Sequence, residues 1–338
     1  MTARIALNFE DGVTRFIEAR TGETVADAAY RAGINIPLDC RDGACGTCKC
    51  RVQSGAFDAG SYIEEALDAE EAAAGLALAC QMRPRTDLAI DILATSAACR
   101  TAPQTIEATL AAVEMLSPSA IGFSVETAEP LGFLPGQYVN IGIPGTGDSR
   151  AYSFASAPGG TRAAFLVRNI PEGRMSGFLR GATPGARLSL TGPSGSFYLR
   201  DVVRPLLFLA GGTGLAPFLA MLEQLAGGAG GQPVRLVYGV TRDEDLVGCD
   251  WLDALAARLP GFDYRTVVAA GESAHPRRGY VTGHVDPAWL NGGDVDVYLC
   301  GPPPMVDAVR GWLGEAGVAP AGFHYEKFAP AVAPRAAA

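Results

Sequence analysis

Histidine is scarce: the 338 residues contain only three, His275, His284 and His324. None forms a ligand-like pair with a cysteine, so a Rieske centre, which needs two His and two Cys, is excluded. An evident His/carboxylate mononuclear iron site is excluded as well. No apolar run approaches the ~18 residues of a membrane span, and the N-terminal stretch lacks the charged-then-apolar pattern of a secretion signal. Basic residues are nowhere concentrated and the formal charge is −9, so neither nucleic acid nor membrane is an expected partner. Eight cysteines are present, but they are clustered in a large chain, which argues against an exported disulfide framework. The expected compartment is the cytoplasm. With 48% hydrophobic residues, the chain can core two or three domains.

Cysteine spacing is the strongest signal. Cys40-Arg41-Asp42-Gly43-Ala44-Cys45-Gly46-Thr47-Cys48 is a C-x4-C-x2-C run, and Cys80 follows in Leu78-Ala79-Cys80-Gln81. This is the plant-type spacing for a [2Fe-2S] cluster, with Cys40, Cys45, Cys48 and Cys80 as the metal ligands. Three thiolates on one tight loop must face the same inorganic core. Gly43 and Gly46 let the backbone take positive φ and bring its N–H groups close to sulfur. The alternative, redox-inert zinc, favours paired C-x2-C knuckles. Cys50 is a spare thiol: the motif assigns Cys48 to the cluster and leaves Cys50 as a small core residue. Cys249 is read as packing, and Cys99 has no readable role.

Along the first hundred residues, Ile5, Leu7 and Phe9 alternate with polar neighbours, Asp11-Gly12 turns, and Thr14–Glu18 returns as a hairpin. Thr24 is placed to cap a helix through Tyr30, with Gly33 as its stop. Lys49–Val52 reads as a strand, Ile63–Gly75 as an acidic helical stretch, and Leu88–Ile92 as a closing strand. Glu64, Glu65, Asp68, Glu70 and Glu71 form either a solvated helix face or a docking patch for an electron acceptor. Over residues 1–95 these features resemble the plant-type ferredoxins, which implies a β-grasp fold.

After Thr101-Ala102-Pro103 the pattern becomes short period-2 strands between Gly/Pro turns, out to about residue 200. That predicts an antiparallel β-barrel. Inside it lie Arg150-Ala151-Tyr152-Ser153, then Leu166-Val167-Arg168, then Gly173-Arg174-Met175-Ser176 opening a helix. A helix N-terminus offers N–H groups to an anion such as pyrophosphate. R-x-Y-S followed by G-x-x-S resembles the flavin domain of the ferredoxin–NADP reductase family, a Greek-key barrel. The resemblance implies that Arg150 pairs with the FAD pyrophosphate, that Tyr152 lies on the isoalloxazine and that Ser153 sits near its N5. It adds Val167, Gly173, Met175 and Ser176 to the cofactor-binding set, Gly173, Met175 and Ser176 against phosphate.

Arg204–Ala210 is a continuous apolar run, as expected of a strand buried on both faces. It leads into Gly211-Gly212-Thr213-Gly214 and a helix from Phe218 to Leu225. A strand, a glycine turn and a helix N-terminus form a phosphate-cradling βα unit, though the spacing is not G-x-G-x-x-G. Further strands at Gln232–Val240, Phe262–Val268 and from Asp296 to Cys300 predict a doubly wound parallel sheet, with its ligand at the carboxyl ends. Cys300-Gly301-Pro302-Pro303-Pro304-Met305 resembles the nicotinamide-domain motif of the same reductase family. The resemblance implies that Cys300, with Gly301 and Pro302, meets the nicotinamide. Tyr325-Glu326-Lys327-Phe328 resembles that family's C-terminal E-x-F element, which puts Glu326 near Ser153 and Cys300 and lays Phe328 over the flavin. Unlike relatives that end on the aromatic, this chain continues for ten Ala/Pro-rich residues, expected to be disordered. In the loop Thr241–Leu246, Asp243, Glu244 and Asp245 oppose a 2′-phosphate while Arg242 attracts one; the balance favours NADH.

The expected organisation is a ferredoxin domain over 1–97, a linker over 98–103, an FAD barrel over 104–202, an NAD domain over 203–328 and a tail over 329–338. NADH releases two electrons at once and a [2Fe-2S] cluster takes one, so flavin must stand between them. Hydride transfer needs reacting atoms roughly 3–3.5 Å apart, so the resemblance implies that Ser153, Cys300 and Glu326 are catalytic positioners. The domain order and the run Ile36–Gly43 resemble the reductase component of benzoate/anthranilate-type ring-hydroxylating dioxygenases. The resemblance implies an NADH-dependent oxidoreductase delivering electrons to a terminal Rieske oxygenase. Two other readings share the motifs: a reductase for a soluble di-iron monooxygenase, and a redox-sensing module without turnover.

Overall fold

The computed structural model describes residues 2–38, 40–100, 104–229 and 231–328. The expected tail, and Thr101–Pro103 of the connector, lie outside the described residues. Two compact units are formed, one built on residues 2–100 and the other on 104–328 apart from the stretch 194–196. Among the described residues no helix is long and apolar enough to cross a membrane.

In the first unit, β1 (Ala3–Phe9) and β2 (Thr14–Ala19) form the expected hairpin, paired from Ala3↔Ala19 to Asn8↔Thr14. Period-2 patterning drives it: Ile5, Leu7 and Phe9 are all buried. Helix α1 (Val25–Arg31) starts at Thr24, whose Oγ1 accepts from Asp27 N at 3.2 Å. It stops before Gly33, at φ 79°. Strands β3 (Lys49–Ser54) and β4 (Phe57–Asp58), helix α2 (Ala69–Ala73), and strands β5 (Leu76–Leu78), β6 (Arg83–Pro84) and β7 (Leu88–Ile92) follow. The main sheet runs β2-β1-β7-β3-β5, with β1 and β7 parallel, and β4 pairs with β6 separately. The result is the expected β-grasp fold.

Two expectations fail here. The stretch Ile63–Gly75 is not one helix; only Ala69–Ala73 is helical. Asp68 breaks it, because its carboxylate accepts from Glu71 N while Glu71 accepts from Asp68 N, a reciprocal cap that fixes a helix start. Nor is Glu71 on a solvated face. It is buried, and both its oxygens accept from Lys49 Nζ, at 2.7 and 2.8 Å. Glu64, Glu65 and Glu70 are exposed.

The second unit opens with six antiparallel strands: β8 (Gln104–Ser117), β9 (Ala120–Thr127), β10 (Tyr138–Gly142), β11 (Ser149–Ser153), β12 (Arg162–Arg168) and β13 (Arg187–Ser194), with α3 (Arg174–Gly181) before β13. Their order is β11-β10-β13-β8-β9-β12. A bridge between Phe154 and Phe165 joins the two ends, closing the sheet into a barrel. Phe123, Phe133, Phe154 and Phe165 fill its interior.

Five parallel strands complete the unit: β14 (Leu206–Gly211), β15 (Val234–Val240), β16 (Phe262–Val268), β17 (Asp296–Gly301) and β18 (Gly322–Lys327). They are ordered β16-β15-β14-β17-β18, and helices α4 (Ala216–Gln224), α5 (Cys249–Arg258) and α6 (Pro303–Glu315) connect them. Every residue of β17 is buried, and β14 is buried from Leu206 through Ala210; both faces are covered, as parallel sheets require. The order reverses between β14 and β17, which makes their carboxyl ends the switch point where ligands bind in such sheets.

Candidate functional site

The cysteine loop lies between α1 and β3, outside regular structure. Gly43 (φ 83°) and Gly46 (φ 72°) occupy left-handed backbone as expected. A Cβ on Gly46 would lie 2.8 Å from Ala66 O, so the loop packs against the following segment through bare backbone. Ala44 N and Cys45 N each donate to Cys40 Sγ at 3.3 Å, and Cys80 N donates to Cys48 Sγ at 3.4 Å. Thiol–thiol hydrogen bonds link Cys40 with Cys45 and Cys80, and Cys48 with Cys80. These bonds push Cys40 and Cys48 below the ordinary thiol range and Cys45 and Cys80 above it. Among the described residues no group of three or more His, Cys, Asp or Glu is placed to hold a metal ion. Four thiolate donors in mutual contact are the donor set that a two-iron core takes, two to each iron. Backbone N–H groups aimed at sulfur complete the fit. Cys48 and Cys80 are buried and Cys45 is exposed. Cys50 lies in β3, wholly buried, with its Sγ donating to Ala77 O at 3.5 Å; it is a core residue. Cys99 is also buried, and its carbonyl accepts from Asn35 N at 2.8 Å.

In the barrel, Arg150 and Tyr152 share one face of β11 and are half-buried, while Ser153 is buried on the other. Arg150 Nη1 donates to Ser149 O at 2.7 Å. The Tyr152 ring stands perpendicular to Phe123 at 6.4 Å, and burial pushes its phenol up to about 12, so it stays neutral. Val167 and Met175 are members of the barrel core. Gly173 is the N-cap of α3 and no side chain caps that helix, which leaves its first N–H groups without an intrahelical partner. Ser176 Oγ turns inward, donating to Ile170 O at 2.7 Å; what α3 presents at this end is backbone. Arg174 forms an ion pair with Asp148.

At the switch point, Gly212-Thr213-Gly214-Leu215 forms a short 3-10 turn between β14 and α4. Gly214 is required there, because a Cβ would lie 2.8 Å from the Cys300 carbonyl carbon. Gly211 and Gly301 face each other across the strands, both against Met305. Pro302 caps α6. Cys300 pairs in register with Glu326 of β18, and Ser153 Oγ donates to Glu326 Oε2 at 3.4 Å. The three residues expected to converge therefore do so, although they come from two layers. Burial, then the Glu326 charge, pushes the Cys300 thiol well above its ordinary value. Phe328 N donates to Gly301 O at 2.8 Å, and its ring packs against the sheet core. Asp243 opens the turn Asp243–Asp245 after β15, on the same carboxyl edge.

Three relationships escaped the sequence reading. Gln81 Nε2 donates to Arg41 O at 2.9 Å and to Cys80 Sγ at 3.8 Å, tying the two parts of the cysteine set together. Arg41 itself is left-handed (φ 62°), with its guanidinium on Asp27 at 3.0 Å. Ser273 Oγ donates to Asp243 Oδ1 at 2.7 Å. Only the adjacency of Gln81 to Cys80 was available as a signal; the other contacts join distant segments.

Residues 8–85 match the family model of the 2Fe-2S iron-sulfur cluster binding domain, 107–198 that of the oxidoreductase FAD-binding domain, and 208–311 that of the oxidoreductase NAD-binding domain. The chain is 55% identical, over 333 residues, to the toluate 1,2-dioxygenase electron transfer component of Pseudomonas putida, covering 97% of this chain and 99% of that one. It is 53% identical, over 337 residues, to the 2-halobenzoate 1,2-dioxygenase electron transfer component of Burkholderia cepacia, covering 98% and 99%. A solved Amycolatopsis cytochrome P450 reductase shares the fold with a TM-score of 0.71 and 32% identity, covering 97% of this chain and all of that one. With its 2Fe-2S, FAD and NAD modules in one chain, the protein belongs to the family of electron-transfer components, the reductases, of aromatic-ring-hydroxylating dioxygenases.

Proposed function

We propose that this chain oxidises NADH in the cytoplasm and delivers the electrons singly, through Cys40, Cys45, Cys48 and Cys80, to the Rieske centre of an oxygenase acting on a benzoate-type acid. One observation carries the proposal: Ser153, Cys300 and Glu326 meet where the carboxyl ends of β14, β17 and β18 face the barrel. Bound here, FAD would supply the conversion between the two-electron chemistry of a nicotinamide and the one-electron chemistry of a [2Fe-2S] centre.

The chain's own residues bind and orient. Arg150 and the uncapped N-terminus of α3 supply positive charge and N–H donors for the FAD pyrophosphate. Tyr152, a neutral phenol, offers its ring to the isoalloxazine. The 212–215 turn and Gly301-Pro302 let the coenzyme approach bare backbone. Cys300, fully buried and kept protonated, would help to shape the nicotinamide site rather than act as a nucleophile. Ser153 holds its proton toward Glu326, which keeps a hydroxyl and a carboxylate at fixed positions beside the reacting atoms. Such transfers need those atoms roughly 3–3.5 Å apart, so these three residues act by position.

An anaerobic NADH titration followed by visible absorbance, repeated with NADPH, tests the proposal. Bleaching of both flavin and iron–sulfur bands at low NADH is the expected result, and bleaching of flavin alone would break the relay. Reconstitution with a benzoate-type Rieske oxygenase tests the acceptor. Product formation there, and none with a di-iron hydroxylase, is expected.

A further inference from the structure

We infer that Ser273 is the positioning residue behind coenzyme choice, because it locks the Asp243 carboxylate in one orientation at the end of β15. The inference rests on the reading that Asp243 faces the coenzyme ribose.

The three carboxylates of the loop are not equivalent. Asp245 is used within its own turn, where Oδ2 accepts from Arg242 N at 3.0 Å. Glu244 lies 3.5 Å from the Arg242 guanidinium, the one cation in this loop. Asp243 alone is gripped from another loop. Ser273 follows β16 and is buried, and its Oγ donates to Asp243 Oδ1 at 2.7 Å. The direction of that bond is fixed: His275 N donates to the same Oγ at 3.0 Å, so the single hydroxyl proton is free for Asp243. The loop carrying Ser273 is itself anchored. Ala269 N donates to Val240 O and Ala270 N to Thr241 O, both at 2.9 Å. The His275 ring is held by Thr266 Oγ1 at 3.0 Å and by Arg277 N at 3.1 Å.

A carboxylate with one oxygen held this way cannot swing aside. It presents its remaining lone pairs to a ribose diol and keeps its charge facing any 2′-phosphate. Freed of Ser273, the same carboxylate can rotate to share the Arg242 cation, losing diol contacts and exposing that cation to phosphate.

The test uses the full-length holoprotein and measures kcat and KM for NADH and NADPH with a soluble one-electron acceptor. Ser273→Ala is expected to raise KM for NADH roughly five- to tenfold, with kcat kept, and to lower NADH/NADPH discrimination by at least that factor. Ser273→Thr, which retains the hydroxyl, should remain within about twofold of the parent. Flavin and cluster absorbance of each variant check folding. The clamp is overturned if Ser273→Ala matches the parent while Asp243→Asn shifts coenzyme preference. If Asp243→Asn leaves preference unchanged, the reading of Asp243 fails and the inference falls with it.

Discussion

Ser153 Oγ donates to Glu326 Oε2 at 3.4 Å across 173 residues of chain. The contact joins the last residue of a barrel strand to a strand at one edge of the parallel sheet, beside Cys300. The hydrogen bond satisfies the buried hydroxyl and fixes where its proton points.

Removing the hydroxyl should therefore be felt in rate rather than assembly. Ser153→Ala is expected to slow NADH-driven flavin bleaching in anaerobic stopped flow by up to about a hundredfold, with both chromophores retained. An unchanged bleaching rate would remove Ser153 from the positioning set.

Lys49 and Glu71 make a second prediction. The chain has only two lysines, Lys49 and Lys327, and both are ion-paired, Lys327 with Asp307 at 3.4 Å. The Lys49–Glu71 pair is the buried one, its side chains 10% and 2% exposed. Lys49→Met strands a carboxylate in the interior and should cost about 3–5 kcal/mol. The double variant Lys49→Met/Glu71→Leu should recover most of that, because no charge is left behind. Thermal loss of the cluster absorbance reads both; equal melting of single and double variants would refute the coupling.

His324 predicts an acid dependence. Burial, and then the Arg200 guanidinium, holds its pKa down at about 3 against an ordinary 6.5. The folded chain keeps the ring neutral, lying on Tyr298 at 4.7 Å, while the unfolded chain takes up a proton below about 6.5. Stability from this residue is complete above pH 6.5, falls as pH drops, and stops falling near 3. His324→Phe should show a smaller difference in melting temperature between pH 7.5 and 4.5 than the parent. An identical difference would show that His324 is not a source of the slope.

Gln81 predicts a change in cluster retention. Its amide must face Arg41 O with nitrogen, since a carbonyl only accepts, and the same nitrogen reaches Cys80 Sγ. Gln81→Leu should release iron to a chelator several-fold faster and lower the cluster's midpoint potential, because a donor to sulfur is lost. Parental release and potential together would assign Gln81 to packing alone.

Much of this was readable in the chain because it depends on neighbours. The spacing of Cys40, Cys45 and Cys48, the alternation of Ile5, Leu7 and Phe9, and the apolar run into Gly211–Gly214 each specify a local geometry that backbone sterics enforce. The stretch Ile63–Gly75 shows the limit. Its acidic composition suggested one exposed helix, although Asp68-x-x-Glu71 carries a capping signature that starts the helix later.

What stayed hidden depends on register between distant segments. Nothing near Glu71 announces Lys49, nothing near Asp243 announces Ser273, and a five-residue helix carrying two adjacent glutamates looks solvated until β3 is laid against it. Covalent spacing set which chemistry the chain can carry, since ligands and glycines a few residues apart have few conformations available. Which carboxylate is gripped, which is buried and which meets Ser153 was decided by sheet order and loop packing, because hydrogen bonds and buried charges are satisfied across space rather than along the chain.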